Sequence, residues 1–111
     1  MATPQTLDRT LAALADPTRR AILQRLSSGE ARVTEVARPF SMSLNAVSKH
    51  ILVLERAKLV RRRRVGRDHF LSYRPEPLDA AAKWMAETCN FWAGRLDALE
   101  QLLRDEDAAK P

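Results

Sequence analysis

The most regular apolar pattern in the chain predicts a long C-terminal helix over about residues 77–104. Apolar residues recur there at alternating intervals of four and three: Leu78, Ala82, Met85, Cys89, Trp92, Leu96, Leu99 and Leu103. This spacing keeps one face of a helix apolar, as in helices that pair as coiled coils. A second stripe runs beside it: Trp84, Phe91, Ala98 and Leu102. We expect one stripe to pack on the domain and the other on a partner, and the pattern leaves open which does which.

Two shorter helices are predicted near the N-terminus. Thr6 is expected to cap the first, whose apolar face carries Leu7 and Leu11. Asp16 is expected to cap the second, because aspartate is a favoured N-cap and proline, here Pro17, is favoured at the first helical position.

A helix-turn-helix is predicted over about residues 34–56. Thr34 caps a short helix over residues 35–38, and Pro39 closes it. Ser43 caps the next helix, in which Val47, Ile51 and Leu54 are spaced to form a buried stripe. The opposite face presents Asn45, Ala46, Lys49 and Val53.

A β-hairpin is predicted over about residues 59–74, with its turn near Gly66. Val60, Tyr73 and either Phe70 or Leu71 are expected to hold it on the helices. The elements then follow the order α-α-α-α-β-β-α, with room for a minimal strand near Arg32-Val33. This order predicts a mainly α-helical winged helix-turn-helix, a single domain spanning residues 1–111.

The charge is unevenly placed along the 111 residues, whose formal net charge is +5. Residues 58–74 contain seven basic residues and one acidic residue, whereas residues 75–111 contain four basic and eight acidic ones. A concentrated basic segment favours an anionic partner such as nucleic acid. The single cysteine indicates a reducing compartment, and no run is long and apolar enough for a signal peptide or membrane span. We therefore expect a cytoplasmic protein with no membrane partner.

The helix after Ser43 is the candidate DNA-recognition helix. Residues at the N-terminal end of such a helix contact base edges in the major groove, and Ser43, Asn45, Ala46 and Lys49 lie there or on its exposed face. Asparagine can pair with adenine through two hydrogen bonds, and lysine can donate to guanine. Ser48 and His50 are candidate phosphate donors. The alternative is an ordinary solvated face with a capping serine.

Four consecutive arginines on one strand make DNA the favoured partner. Alternation places Arg61 and Arg63 on one face and Arg62 and Arg64 on the other. Phosphates on both sides would relieve the repulsion between them, and Arg67 at the tip could enter the minor groove, whose negative potential attracts arginine. The alternative is a basic edge that prevents strand-to-strand aggregation.

No catalytic or metal-binding constellation is evident in the sequence. His50 and His69 are the only histidines and Cys89 the only cysteine, so no cluster has the spacing of metal ligands. No cofactor or enzymatic activity is therefore predicted. Two alternatives to DNA binding stay open: a redox- or ligand-responsive switch acting through the dimer interface, and a protein-interaction module that does not bind DNA.

Three stretches resemble the ArsR/SmtB family of bacterial winged-helix regulators. They are LAALADPTRRAILQRL at 11–26, VTEVARPFSMSLNAVSKHILVLERAKLV at 33–60 and RRRRVGRDHFLSYRPEP at 61–77. The most specific part is the S-x4-S-x-H-[I/L]-x2-L pattern from Ser43 to Leu54, followed by the Gly-Arg turn and Tyr73.

The resemblance implies a homodimer that represses transcription at an imperfect promoter palindrome. It implies that Ser43, Asn45, Ser48, Lys49 and His50 face or support the DNA, with Arg64 and Arg67 on the backbone or in the minor groove. The first and last helices would form the dimer interface, and we assign to it the following residues: Leu7, Leu11, Met85, Cys89, Trp92, Leu96, Leu99 and Leu103.

The chain departs from the metal-sensing members of that family. Such sensors often carry a cysteine pair on the helix before the turn, where this chain has Glu35-Val36-Ala37-Arg38-Pro39. Others use histidine ligands on the last helix, and no histidine follows His69. The ending FWAGRLDALEQLL resembles a branch of the family whose members often lack metal sites. We therefore expect no metal at the family's known positions, and the effector is unknown.

Overall fold

The computed structural model describes residues 3–109 and confirms the predicted fold class. Its elements are α1 Pro4–Leu14, α2 Pro17–Leu26, β1 Ala31–Arg32, α3 Val33–Ala37, α4 Leu44–Arg56, β2 Val60–Val65, β3 Asp68–Tyr73 and α5 Glu76–Ala108. The minimal strand β1 lies one residue before its predicted position. It makes the hairpin part of a three-stranded antiparallel sheet of order β1-β3-β2.

The first two helices both begin at a proline, which was predicted for α2 but not for α1. Asp16 caps α2, because its Oδ2 accepts a hydrogen bond from the Arg19 amide at 3.0 Å. The predicted cap of α1 was wrong: Thr3, not Thr6, caps it, and its Oγ1 accepts from the Thr6 amide at 3.1 Å. The reason is Pro4, which lacks an N–H and suits the first turn of a helix, so the helix starts there.

The predicted cap of α3 was also wrong. The helix begins at Val33, so Thr34 lies inside its first turn, and the N-cap residue Arg32 forms no side-chain capping bond. Arg32 is also the last residue of β1 and pairs with Phe70 of β3. Pairing with the sheet therefore sets the point where the chain leaves the extended conformation, which local capping preferences do not reveal.

The core lies between α4, α2 and one face of the sheet. Val47, Ile51 and Leu54 are completely buried, as their spacing predicted. They belong to one cluster with buried side chains from the neighbouring elements, including Ile22, Leu26, Val36, Leu59 and Leu71. Removing this apolar surface from water fixes α4 on the domain by its apolar stripe and leaves its polar face outward.

The hairpin pairs Val60 with Tyr73 and Val65 with Asp68, and Gly66 makes its turn at φ +61°. Gly66 suits this position because a left-handed backbone conformation carries no steric cost for glycine. The choice between Phe70 and Leu71 is resolved: Leu71 is completely buried in the core. Phe70 therefore lies on the other face of β3, where the guanidinium groups of Arg32 and Arg63 lie 5.5 and 5.0 Å from its ring centroid.

The chain divides into two compact units, one ending at Ala81 and the next beginning at Ala82. The C-terminal helix α5 starts one residue before its predicted start and extends four residues beyond its predicted end. In the second unit the large apolar side chains are exposed, with relative exposures from 42% at Met85 to 63% at Leu102. Roughly half of the surface of these side chains is thus open to solvent in the described residues.

Candidate nucleic-acid interface

The N-terminal half of α4 presents polar side chains to solvent. Asn45 and Lys49 are exposed, Ala46 and Ser48 are half-buried, and within residues 3–109 the side chains of Asn45 and Lys49 form no hydrogen bond or ion pair. Ser43 Oγ accepts a hydrogen bond from the Ala46 amide at 3.1 Å, so this oxygen is occupied in capping the helix. Asn45 and Lys49 therefore carry the most exposed donors of this half of α4, and the hydroxyl hydrogens of Ser43 and Ser48 can also be donated to a ligand.

One ring nitrogen of His50, Nδ1, points towards the interior of the first unit. Its Nδ1 lies 3.7 Å from Asp16 Oδ2 and 3.2 Å from the Arg19 guanidinium. The hydrogen bond from the Arg19 amide, with a smaller contribution from His50, holds the pKa of Asp16 below its usual value. These contacts tie α4 to the start of α2. His50 thus has a structural partner that its position in the sequence did not reveal.

Arg19 connects three helices through its side chain. Its Nε donates to the carbonyl of Ala13 at 2.8 Å, and Nη2 donates to the carbonyl of Ala12 at 3.0 Å. Since the last carbonyls of a helix lack intrahelical partners, these bonds close the end of α1. The third nitrogen, Nη1, contacts His50. Arg19 therefore helps fix the position of α4 relative to α1.

The four arginines of β2 differ in their partners. Arg62 donates twice to Glu55 Oε1, at 3.2 and 2.6 Å, and Arg63 donates to Glu30 Oε1 at 2.6 Å. The bond to Glu30 raises the pKa of Arg63 still further. Arg64 donates to the Gly66 carbonyl at 3.1 Å. Two of the four charges are thus neutralised by carboxylates from elsewhere in the fold, which sequence alternation could not reveal.

Arg61 and Arg67 remain as free cations of the wing, defined here as β2, β3 and their turn. Both are exposed, and in the described part of the chain neither side chain forms a hydrogen bond or ion pair. Arg67 directly follows Gly66 and stands at the tip. Its position matches the sequence prediction, which placed one arginine at the end of the hairpin.

A cleft of about 280 Å³ lies between the start of α4 and the wing. Its lining is formed by Arg32, Val33, Thr34, Leu44, Ser48, Arg62, Arg67, Asp68 and His69. Three guanidinium groups, two hydroxyls and one carboxylate therefore meet around one space. Of these residues, Ser48, Arg62 and Arg67 were candidates from the sequence, whereas Arg32 and Thr34 were not.

The side chains assigned to the dimer interface have different environments. On α1, Leu7 and Leu11 are half-buried. On α5, Met85, Cys89, Trp92, Leu96, Leu99 and Leu103 are all exposed. Their assignment to an interface stays a prediction.

Two kinds of feature are absent from the described residues. Among residues 3–109, no group of three or more His, Cys, Asp or Glu side chains is placed to hold a metal ion. Over the same range, no helix has the length and hydropathy needed to cross a membrane.

Comparison with known proteins points to one class of regulator. A family model described as a helix-turn-helix domain matches residues 14–63. The chain is 40% identical over 106 residues to the HTH-type transcriptional regulator Rv2034 of Mycobacterium tuberculosis, covering 96% of each protein. A crystal structure of an ArsR family transcriptional regulator shares 42% identity with a TM-score of 0.79, covering 83% of this chain and 95% of that one.

A further solved structure bears on assembly. It is a homodimeric winged helix-turn-helix DNA-binding domain from Mycobacterium bovis, described as a possible ArsR-family regulator. It is 29% identical to this chain with a TM-score of 0.59, and the match covers 94% of this chain and 82% of that one.

Proposed function

This chain belongs to the ArsR family of winged helix-turn-helix transcriptional regulators. From that premise we propose that it is a homodimer that binds a promoter palindrome and represses transcription there. The family is one of DNA-binding regulators and not of enzymes. The proposal concerns how this particular chain contacts DNA, how it pairs and how it acts.

The observation that carries the proposal is the pair of free polar groups on α4 beside a free arginine at the wing tip. In the proposed complex α4 enters the major groove, where Asn45 and Lys49 contact base edges and Ala46 packs on the bases. Ser43, Ser48 and His50 lie beside them and support the helix or contact phosphates. On the wing, Arg62 and Arg64 would contact the DNA backbone in addition to their partners Glu55 and Gly66, and the free Arg67 would enter the adjacent minor groove.

The proposed dimer is formed by α1 and α5. The side chains involved are Leu7, Leu11, Met85, Cys89, Trp92, Leu96, Leu99 and Leu103, and the α5 members expose apolar surface that a second copy would remove from water. A two-fold axis would place two α4 helices about 34 Å apart, one turn of DNA. Binding there would block polymerase, and since the partner is chromosomal DNA, the protein would act in the cytoplasm. The effector, if one exists, is unknown.

The test is selection of bound duplexes from a random pool, followed by binding measurements from 50 to 200 mM salt. If phosphate contacts dominate the affinity, binding to the selected duplex falls steeply over this range. A protein-interaction module predicts a dimer by sizing that enriches no duplex even at low salt. That result would contradict the proposal.

A variant of the wing tip tests the assigned role of Arg67. Arg67→Ala should weaken binding to the selected and to unrelated duplexes by a similar factor, and reduce the steepness of the salt dependence by about 2, about 1 for each of the two subunits. Arg56→Ala is the control, because Arg56 is also exposed but lies in the last turn of α4. A change of base preference at the selected site in Arg67→Ala would show that this residue contacts bases instead.

A further inference from the structure

We propose that the cleft between α4 and the wing binds one phosphodiester of the DNA backbone, held by Arg32 and Thr34 in addition to the residues of α4 and the wing. The inference rests on the proposed function and extends it to β1 and α3. Neither of these elements belongs to the recognition helix or to the hairpin.

The position of the cleft follows from the shape of B-DNA. A helix in the major groove and a wing tip in the adjacent minor groove stand on opposite sides of one sugar–phosphate strand, because that strand separates the two grooves. The strand must therefore pass between α4 and the wing. The cleft of about 280 Å³ occupies this place. Since one water molecule occupies roughly 30 Å³ in the liquid, the space admits a phosphate group together with bridging water.

The lining of the cleft has the chemistry of an anion site. Arg32, Arg62 and Arg67 contribute three positive charges, of which that of Arg62 is paired with Glu55, and the lining itself holds the single carboxylate of Asp68, so one positive charge is in excess. The hydroxyl of Ser48 can donate a hydrogen bond. Arginine donors match the geometry of phosphate oxygens, and their charge-assisted hydrogen bonds are stronger than neutral ones. The net positive charge favours a phosphodiester over a neutral ligand.

Arg32 is positioned but only weakly paired, so it can change partner. Its guanidinium lies 5.5 Å from the centroid of the Phe70 ring, which restricts where the side chain can lie. Within residues 3–109 its only carboxylate contact is with Asp68 Oδ2 at 3.9 Å, and both side chains are about half exposed. Exposed pairs of this kind contribute little to stability. By contrast, Arg62 is held by two bonds to Glu55, which also compensate its charge.

The experiment combines protein variants with the selected duplex. Arg32→Gln should weaken binding of the dimer about a hundredfold and reduce the steepness of log K against log salt by about 1.8, because each of the two subunits loses one phosphate contact worth about tenfold and about 0.9 in slope. Arg32→Lys should keep most of the slope, because the charge remains. Arg56→Gln is the matched control, since Arg56 is exposed, carries the same charge and lies at the opposite end of α4. Its slope should equal that of the wild-type protein.

Two further measurements separate a phosphate contact from a structural role. Asp68→Asn removes the only carboxylate of the cleft lining and should tighten binding to all duplexes. A series of duplexes, each with one uncharged methylphosphonate in place of a phosphate, should contain one position per half-site that costs the wild-type protein about tenfold. At that position the Arg32→Gln variant should lose nothing more, because its contact is already absent.

The possible results distinguish failure of the phosphate site from failure of the proposed function on which it rests. Failure of the wild-type protein to bind any duplex would overturn the proposed function and the cleft with it. DNA binding by the wild-type protein with equal salt slopes for Arg32→Gln and Arg56→Gln would overturn the cleft alone. Loss of affinity in Arg32→Gln that is the same on every methylphosphonate duplex would also overturn it, since that pattern indicates a disturbed fold.

Discussion

Two helices of this protein carry apolar stripes of similar regularity, but they use them differently. In α4 the stripe of Val47, Ile51 and Leu54 is completely buried, and the opposite polar face is exposed without partners for Asn45 and Lys49. In α5 beyond Ala81, the apolar side chains themselves are exposed. A helix that is fully anchored can offer polar groups to a polyanion, whereas a helix with uncovered apolar side chains calls for another apolar surface.

A charge placed in the α5 stripe should have the largest effect on DNA binding. Leu99→Glu would bury a carboxylate in the proposed interface, and an unpaired buried charge is unfavourable enough to separate the chains. Sizing should show a monomer at micromolar concentration. Affinity for the selected palindrome should fall by about 10²–10⁴-fold, because the two half-sites no longer bind one linked pair.

Asn90→Glu is the control for this variant. Asn90 is exposed on α5 but lies on neither apolar stripe, so the same charge there should leave both the dimer and the affinity unchanged. A dimeric Leu99→Glu protein with wild-type affinity for DNA would contradict the proposal that α5 forms the dimer interface.

Shortening a side chain of the buried α4 stripe should instead lower the stability of the folded protein. Ile51→Ala is expected to lower the free energy of unfolding by about 2–5 kcal/mol, because it removes a completely buried side chain from a packed core. The neighbouring Leu52→Ala, at a position 42% exposed, should change it by no more than about 0.5 kcal/mol. Urea unfolding measures both values. Equal losses would mean that α4 is not anchored by the stripe described above.

The smallest expected effect is on stability and comes from Asp16, which caps α2 and contacts His50 of α4. The Asp16 carboxylate has a lowered pKa in the folded protein because it accepts the Arg19 amide hydrogen bond. A depressed folded-state pKa means that the ionised group stabilises the fold above its unfolded pKa of about 3.8, and that this contribution is lost as pH falls through the folded value.

Asp16→Asn isolates that charge, because asparagine also caps helices well. The wild-type protein should be slightly more stable at pH 6, and the difference should shrink towards zero below pH 3.8. Urea midpoints of both proteins over this range check it. A difference that stays constant with pH would assign the effect to cap geometry and not to ionisation.

The sequence predicted features that depend on local chemistry and periodicity. The caps Asp16 and Ser43, the buried stripe of α4, the turn at Gly66 and the extent of α5 all follow from neighbours in the chain. Where two local signals competed, the prediction failed, as at the start of α1. The start of α3 failed for another reason, because its position depends on strand pairing with distant residues.

The candidate site was predicted in part for the same reason. The exposed residues of α4 and the tip arginine follow from periodicity, but the partners that select among the arginines do not. Glu30 lies 33 residues before Arg63, and Asp16 lies 34 residues before His50. Only the folded chain brings these groups together, and only the fold shows that Arg32 and Thr34 share a cleft with the wing.

The most direct test of the account is duplex selection with the wild-type protein and with Asn45→Ala in parallel. The wild-type protein should enrich a palindrome whose half-sites are centred about 10 base pairs apart, as a dimer with two α4 helices requires. Asn45→Ala should enrich the same palindrome but lose preference at one symmetry-related pair of positions, where discrimination falls by about 1–3 kcal/mol. Selected sequences without two-fold symmetry, or an identical preference in both proteins, would contradict the central claim that a dimer recognises bases through α4.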